Sequence, residues 1–275
     1  GDDALSGGLG ADTLSYEGHT SNISVALATT ETVGNGAVGE SDTVTGDFEN
    51  LTGGSGSDSL TGNLADNLLN GGSGNDELFG LSGNDILIGS SGDDTFSGGS
   101  GIDTASYAFA TDAITASLSD TSSSGNGQVN ESDTIQSDVE NLVGGSGNDI
   151  LSGNSTINSI SGNGGDDTLD GGLGADAFSG GSGSDSISYR NSPSGVTVTL
   201  GTETTISNGA AGENDSLSSD IENILGSNFD DNLIGNQQAN LISGFDGADT
   251  IVGGLGTDYL AGGSGIDTLS YVTHT

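Results

Sequence analysis

The sequence has no cysteine, methionine, tryptophan or lysine, and it contains a single arginine. Against that one cation stand 40 aspartate and glutamate residues, so the formal net charge at pH 7 is -39. Without basic residues a chain cannot neutralise phosphate groups, which excludes nucleic-acid binding and attachment to anionic membranes. The absence of cysteine excludes disulfide staples. Because so much like charge opposes compaction, we expect cations from solution to be part of the folded state.

Apolar residues are also scarce, at 30% of the chain, with 4% aromatic residues. No apolar run approaches the roughly 18 residues that a membrane-spanning helix needs, so the sequence predicts no membrane insertion. With 52 glycines among 275 residues, the bulk composition is typical of disordered chains, and only a regular pattern could gather a core. No leader peptide or initiating methionine is recognisable, so we expect an interior piece of a longer protein.

A nine-residue unit repeats along the chain. In the copy GGSGNDELF at residues 71–79, glycine fills positions one, two and four, aspartate fills position six, and an apolar residue fills position eight. The units form runs that end at Tyr107, Tyr189 and Tyr271. Glycine-rich turns followed by apolar-centred triplets predict very short strands, two units to a coil, in two opposed parallel sheets.

Between the runs lie elements of 37 residues that align without gaps, at 16–52, 107–143 and 189–225. Each contains a strand-like stretch and a glycine turn, and we interpret its first residue, a tyrosine, as a ring that covers the core. The predicted organisation is the end of a nonapeptide run, three large repeats and the start of a fourth, at 1–15, 16–106, 107–188, 189–270 and 271–275. The first large repeat is longer by one nonapeptide, which indicates a solenoid of stackable layers.

The aspartate at position six recurs on every second turn of the same side, so stacking brings carboxylates of successive coils together. Ca²⁺ takes six to eight oxygen ligands and tolerates irregular geometry, whereas Mg²⁺ demands a near-octahedral site and Zn²⁺ prefers histidine or cysteine. The sequence therefore predicts multiple calcium ions held by the position-six residues Asp3, Asp12, Asp58, Asp76, Asp85, Asp94, Asp103, Asp149, Asp167, Asp176, Asp185, Asp231, Asp249, Asp258 and Asp267.

Two further sets of acids recur at fixed places in the 37-residue elements. One set lies nine residues before a position-six aspartate and the other follows a glycine-containing turn; they are Glu49, Glu140 and Glu222, and Asp42, Asp133 and Asp215. For both sets, metal ligand and solvated surface acid remain open on the sequence. Asparagine replaces the position-six aspartate in the second unit of each run, and we expect those layers to bind calcium weakly or not at all; the residues are Asn67, Asn158 and Asn240.

The unit Gly-Gly-x-Gly-x-Asp-x-apolar-x resembles the calcium-binding nonapeptide of the RTX (repeats-in-toxin) family, and the resemblance covers about half of the chain. The 37-residue elements resemble those of very large secreted RTX proteins. The resemblance implies an all-β fold, a right-handed parallel β-roll with calcium ions bound between stacked glycine-rich turns. It also implies export by a type I secretion system of a Gram-negative bacterium and folding on meeting extracellular calcium.

A repeating ladder of acids offers no unique pocket with two carboxylates of separated pKa, so we expect no enzymatic activity. The predicted function is a calcium-loaded structural module of a secreted or cell-surface bacterial protein, a stiff rod that spaces or assembles surface material or filaments. The alternatives are the secretion and folding region of an exported enzyme, and part of an adhesin. Self-association is expected, with Phe79, Ile86 and Ile88 as candidate outward-facing apolar contacts.

Overall fold

The computed structural model describes residues 2–27, 32–37, 41–119, 127–128, 131–201 and 209–270. Within these ranges the chain forms short strands and turns and no helix, so none of these residues belongs to a helix that could cross a membrane. The chain divides into two compact units, Gly1–Ala110 with Thr115–Val143, and Thr111–Ile114 with Gly144–Thr275. The predictions for Tyr271 and for the repeat start at 271–275 lie outside the described residues.

The first unit contains strands of two to six residues. They are β1 (Ala4–Leu5), β2 (Thr13–Ser15), β3 (Ile23–Ala26), β4 (Thr32–Ala37), β5 (Asp42–Val44), β6 (Asn50–Thr52), β7 (Ser59–Thr61), β8 (Leu68–Ser73), β9 (Glu77–Ser82), β10 (Ile86–Ser91), β11 (Thr95–Ser100), β12 (Thr104–Ser106), β13 (Thr115–Ser117), β14 (Thr134–Ile135) and β15 (Asn141–Val143).

Two sheets organise this unit, with strand orders β1-β5-β4-β3-β7-β9-β11-β14 and β2-β6-β8-β10-β12-β15. Within a run, each strand pairs in parallel with the strand 18 residues further on, so Leu60 lies beside Leu78 and Leu69 beside Leu87. Two nonapeptides therefore make one coil, as predicted. The exception is β4, which pairs antiparallel with both β3 and β5, so the element at 16–52 inserts a three-strand meander into one sheet.

The second unit repeats this architecture with strands β16 (Ile150–Ser152), β17 (Ser159–Gly164), β18 (Thr168–Asp170), β19 (Ala177–Ser182), β20 (Ser186–Ser188), β21 (Thr197–Thr199), β22 (Ser216–Leu217), β23 (Asn223–Leu225), β24 (Asn232–Ile234), β25 (Leu241–Asp246), β26 (Thr250–Val252), β27 (Tyr259–Ser264) and β28 (Thr268–Ser270). Its sheets run β16-β18-β20-β23-β25-β27, β17-β19-β22 and β21-β24-β26-β28. Again 18 residues separate parallel partners, as in Leu151 with Leu169. The prediction of an all-β parallel β-roll is confirmed in each unit.

Position eight of the nonapeptide supplies the core. Side chains alternate between the two faces of a strand, so the central residue of each triplet points inward while positions seven and nine point outward. Leu69, Leu78, Leu87 and Phe96 are accordingly 0% exposed. Position eight thus gives each sheet an interior row of buried apolar side chains.

The turn glycines are required by the coil stacked beside them. Gly72 and Gly74 have φ angles of 99° and 115°, in the left-handed region that favours glycine. A Cβ on Gly72 would overlap the carbonyl oxygen of Gly54, 18 residues earlier, and a Cβ on Gly74 would overlap that of Gly56. Glycine at these positions therefore allows adjacent coils to stack in close contact.

The expectation that three apolar side chains face outward beside the extra nonapeptide is wrong for Ile88. Ile86 is 41% exposed, and Phe79 is half-buried, but Ile88 is only 5% exposed. Ile88 lies on β10 next to β12, where Ser106 is also buried, so this side of the sheet is covered near the end of the run. The apolar outward patch is smaller than the sequence indicated.

Candidate metal centre

The position-six aspartates form columns in which each carboxylate binds the backbone of the preceding coil. Oδ1 of Asp76 accepts a hydrogen bond of 2.8 Å from the backbone N–H of Asp58, and Oδ1 of Asp94 accepts one of 2.8 Å from Asp76. We call these columns the aspartate ladders. The same bond joins Asp85 to Asp103, Asp149 to Asp167, Asp167 to Asp185, Asp231 to Asp249, Asp249 to Asp267, Asn67 to Asp85, Asn158 to Asp176 and Asn240 to Asp258.

Most of the predicted ligands are buried in these ladders. The buried ones are Asp42, Asp58, Asp76, Asp85, Asp94, Asp103, Asp133, Asp149, Asp167, Asp176, Asp185, Asp215, Asp231 and Asp249. Half-buried are Asp12, Asp258, Asp267, Glu49, Glu140 and Glu222, whereas Asp3 is exposed. Solvated acidic faces do not lie at 0 to 4% exposure, so the simple reading of the buried set as surface acids is excluded.

The surroundings of the second carboxylate oxygen, Oδ2, distinguish several kinds of ladder residue. In one kind Oδ2 is buried and accepts no hydrogen bond from the described residues; these are Asp12, Asp76, Asp85, Asp103, Asp167, Asp185 and Asp249. A buried anionic oxygen without a donor is strongly unfavourable unless a cation or proton joins it. These seven oxygens therefore mark where a cation fits.

A main-chain oxygen faces the same space as the unpaired carboxylate. A Cβ on Gly80 would overlap Oδ2 of Asp85 and lie 2.6 Å from the carbonyl oxygen of Gly98 in the next coil. Gly162 is flanked in the same way by Oδ2 of Asp167 and the carbonyl oxygen of Gly180. Carboxylate and carbonyl oxygens are the ligands that Ca²⁺ prefers, so the donor set fits calcium.

Carboxylates alone do not complete these sites. The described ranges contain no group of three or more acidic, histidine or cysteine side chains arranged to hold a metal. Two carboxylates of successive coils must therefore be supplemented by main-chain carbonyls and water to reach the six to eight ligands of Ca²⁺. This chemistry suits a hard, oxygen-seeking ion and offers nothing to a metal that prefers nitrogen or sulfur.

Burial raises the pKa of several ladder carboxyls. Desolvation raises the pKa of Asp76 to about 6 and that of Asp167 to about 7. Asp94, which also faces the negative charges of Asp133 and Asp76, has its pKa raised to about 8, again mainly by burial. In the folded chain these three carboxyls therefore hold a proton more strongly than a free aspartate does, because burial disfavours the charged form.

In the second kind of ladder residue, the protein itself satisfies both oxygens. Oδ1 of Asp133 accepts the N–H of Asp94 at 2.8 Å, and Oδ2 accepts the hydroxyl of Tyr107 at 3.0 Å. The equivalent residues repeat this arrangement: Asp42 with Asp3 and Tyr16, and Asp215 with Asp176 and Tyr189. These tyrosines are buried, as the sequence predicted, but their hydroxyl partner was not foreseen.

The first aspartate of each run is also satisfied by backbone donors. Asp58 accepts the N–H of Ile23 at 2.9 Å on Oδ1 and the N–H of Gly54 at 2.7 Å on Oδ2. The same pairs recur around Asp149, with Ile114 and Gly145, and around Asp231, with Val196 and Ser227. Both oxygens of each of these carboxylates therefore have a backbone donor from the protein.

Asparagine at position six carries an amide NH₂ group, a hydrogen-bond donor, where aspartate has its second carboxylate oxygen. Nδ2 of Asn67 donates to the carbonyl oxygen of Glu49 at 3.0 Å, and Nδ2 of Asn240 donates to that of Glu222 at 2.7 Å. The amide thus binds a carbonyl oxygen of the neighbouring coil directly. This contact agrees with the expectation that the asparagine layers bind calcium weakly.

One further recurring carboxylate was not predicted to have a role. Asp138 accepts the N–H groups of Gly98 and Gly99, at 3.3 and 3.0 Å, and the hydroxyl of Ser97 at 3.0 Å. Asp47 and Asp220 bind the corresponding turns. Their signal in the sequence was a fixed place, five residues after Asp42, Asp133 and Asp215.

The fold and the ladders together define a parallel β-roll with repeated, oxygen-lined positions that fit a cation. The model of the RTX calcium-binding nonapeptide repeat matches residues 1–15, 43–78, 71–105, 136–156, 152–187, 225–260 and 246–269, more than half of the chain. The chain therefore belongs to the RTX calcium-binding nonapeptide repeat family. No curated protein matches it.

Proposed function

We propose that the chain is a calcium-dependent structural module of a secreted or cell-surface bacterial protein, in which ions bound along the aspartate ladders hold successive coils together. The observation that supports this proposal most strongly is the set of seven buried Oδ2 atoms without a hydrogen-bond donor, in a chain of the RTX family. Calcium joins two successive coils at each such site, and within a run its two carboxylate ligands lie 18 positions apart, as in Asp85 and Asp103.

Calcium binding is expected to supply the stability that the thin core lacks. An ion that binds only the folded state adds RT ln(1 + [L]/Kd), about 2.7 kcal/mol per site at roughly 100 times Kd. Many such sites offset the self-repulsion of a chain with a net charge of -39. Folding is therefore tied to a compartment rich in calcium, as expected for export through a type I system.

Circular dichroism of the thoroughly demetallated chain tests this function. The β spectrum is expected to be absent in excess chelator and to appear on addition of millimolar calcium. Asp76→Asn should raise the calcium concentration needed for folding and lower the number of ions bound, whereas Asp112→Asn, at an exposed residue outside the ladders, should change neither. An unchanged β spectrum without metal would overturn the proposal.

Two observations support a structural role over an enzymatic one. The groove across β17, β19 and β22 is lined by Ser, Ala, Ile, Leu and Phe side chains, without an acid or base for catalysis. The family match is to a calcium-binding repeat, which favours a non-enzymatic module.

We further propose that calcium-loaded modules associate with one another and so space or assemble surface material. Light scattering at millimolar calcium tests this association, and a strictly monomeric species at high protein concentration would contradict it.

A further inference from the structure

We propose that each 37-residue element carries a calcium site of its own where a nonapeptide run enters it. The site is formed by the last position-six aspartate of the run, by the glutamate that continues its ladder, and by a main-chain carbonyl of the element. We call these sites the junctions: Asp12 with Glu49, Asp103 with Glu140, and Asp185 with Glu222. The inference rests on the proposed function, because the ion is the same.

The geometry at Asp103 carries the proposal. Asp103 is 0% exposed, and its Oδ2 is buried without a donor. Oε2 of Glu140 accepts the backbone N–H of Asp103 at 2.8 Å, the bond that the next aspartate makes elsewhere in the ladder. The carboxylate of Glu140 therefore occupies the ladder position next to an unpaired, buried carboxylate oxygen, which is the arrangement found between aspartates within the runs.

The same contacts recur at all three junctions. Oε2 of Glu49 accepts the N–H of Asp12 at 2.9 Å, and Oε2 of Glu222 accepts that of Asp185 at 3.0 Å. Asp185 is also 0% exposed, and Oδ2 is unpaired in both Asp12 and Asp185. Each junction aspartate further accepts two backbone N–H groups on its carbonyl oxygen, from the glutamate and from the asparagine after it.

At the junctions of Asp12 and Asp103, a main-chain oxygen of the element replaces the glycine carbonyl of a regular coil. A Cβ on Gly98 would overlap both Oδ2 of Asp103 and the carbonyl oxygen of Asp138. In the regular coil, a Cβ on Gly80 would meet Oδ2 of Asp85 and the carbonyl oxygen of Gly98 instead. The Asp138 side chain binds the N–H groups of Gly98 and Gly99, which fixes the position of its own carbonyl. Asp138 is thus a positioning residue, and its carboxylate is used by the turn and not by the ion.

The other ladder of the same element ends without a metal site. Both carboxylate oxygens of Asp133 accept hydrogen bonds from the protein, one from the N–H of Asp94 and one from the hydroxyl of Tyr107. The two acid sets that the sequence could not separate therefore differ in role: the glutamates bind calcium, and Asp42, Asp133 and Asp215 are structural acceptors.

Two triple variants of the 275-residue chain test this difference. Glu49→Gln, Glu140→Gln and Glu222→Gln together are compared with Asp42→Asn, Asp133→Asn and Asp215→Asn together. The number of calcium ions bound at saturation is measured by equilibrium dialysis with atomic absorption, and circular dichroism monitors the fold. The glutamine variant is expected to lose one ion per substituted junction, whereas the asparagine variant keeps the full number.

Equal stoichiometry in the glutamine variant and the parent chain, or an equal loss in both variants, would overturn the junction sites. If the parent chain itself bound no calcium, the proposed function would fail, and this outcome is distinct from the first. Should the triple glutamine variant not fold at saturating calcium, Glu222→Gln alone is used; it must bind one ion fewer than the parent, and an unchanged number rejects the inference.

Discussion

We infer the role of each ladder carboxylate, cation ligand or structural acceptor, from what surrounds its second oxygen. Asp85 and Asp133 both lie on a ladder and both accept a backbone N–H on Oδ1. Oδ2 of Asp85 meets no donor, whereas Oδ2 of Asp133 meets a tyrosine hydroxyl. The backbone N–H and the neutral hydroxyl thus give both oxygens of Asp133 a hydrogen-bond donor from the protein, so this carboxylate needs no cation as a partner.

Tyr107→Phe tests this structural role. The substitution keeps the ring and leaves Oδ2 of buried Asp133 without its 3.0 Å donor. An unsatisfied buried acceptor costs about 1 to 3 kcal/mol, so the thermal midpoint at saturating calcium should fall while the number of bound ions stays constant. Tyr259→Phe, at a side chain that is 68% exposed, is the matched control and should have no effect. A loss of bound calcium in Tyr107→Phe would contradict the assignment.

Gly71→Ala tests the contact between turn glycine and carboxylate. The new methyl group would overlap Oδ2 of Asp76, which must move. Overpacking of this kind costs roughly 1 to 3 kcal/mol, and the displaced ligand should also weaken calcium binding. Gly18→Ala, at an exposed glycine with nothing within 4 Å of the added Cβ, should stay near the parent in calorimetric stability and calcium affinity. Equal behaviour of the two variants would contradict the packing argument.

At the scale of elements, the sequence predicted the features that follow from the nine-residue period. It could not predict the contacts that form inside the irregular 37-residue elements. The nine-residue phase specified the inward Leu78, the ladder position of Asp76 and the coil of 18 residues, because neighbouring coils repeat the same geometry. The antiparallel β4 and the bond from Tyr107 to Asp133, 26 residues apart, arise inside the irregular elements. The burial of Ile88 also could not be predicted, because its coil lies near such an element and the nine-residue period does not describe the contacts there.

The ladders also predict how the metal-free fold responds to pH. Burial raises the pKa of Asp76 to about 6 and of Asp94 to about 8, whereas an unfolded aspartate titrates near 3.9. At these two residues the folded chain therefore binds protons more tightly than the unfolded chain, and the stability that their protonation contributes is fully present below about pH 4 and is lost as the pH rises through about 6 to 8.

Circular dichroism of the demetallated chain between pH 4 and 8 measures this effect. Acidification should increase its β content, because protons then occupy the buried oxygens. In the presence of calcium the opposite trend is expected, since protons compete with the ion for the same carboxylates and the calcium midpoint rises as the pH falls. A metal-free chain whose β content stays unchanged between pH 8 and pH 4 would contradict the role of the buried ladders.

For the whole molecule, two electrostatic effects oppose folding and respond to different ions. The net charge of -39 repels at long range, and any salt screens it, with a Debye length of about 10 Å at 0.1 M. The unpaired Oδ2 atoms of Asp76, Asp103 and Asp185 are buried, so diffuse screening does not reach them. We therefore expect screening alone to be insufficient and folding to need an ion that enters the ladders.

The last prediction separates these two effects by comparing calcium chloride, magnesium chloride and sodium chloride at equal ionic strength. Calcium should restore the β spectrum, because it accepts carbonyl and carboxylate ligands in irregular numbers, whereas magnesium retains its water and needs near-octahedral geometry. Sodium chloride should shift the calcium midpoint only modestly and should not fold the chain by itself. Folding in sodium chloride alone would mean that long-range repulsion was the main barrier, and the buried oxygens of the ladders would then not be what makes this chain depend on calcium.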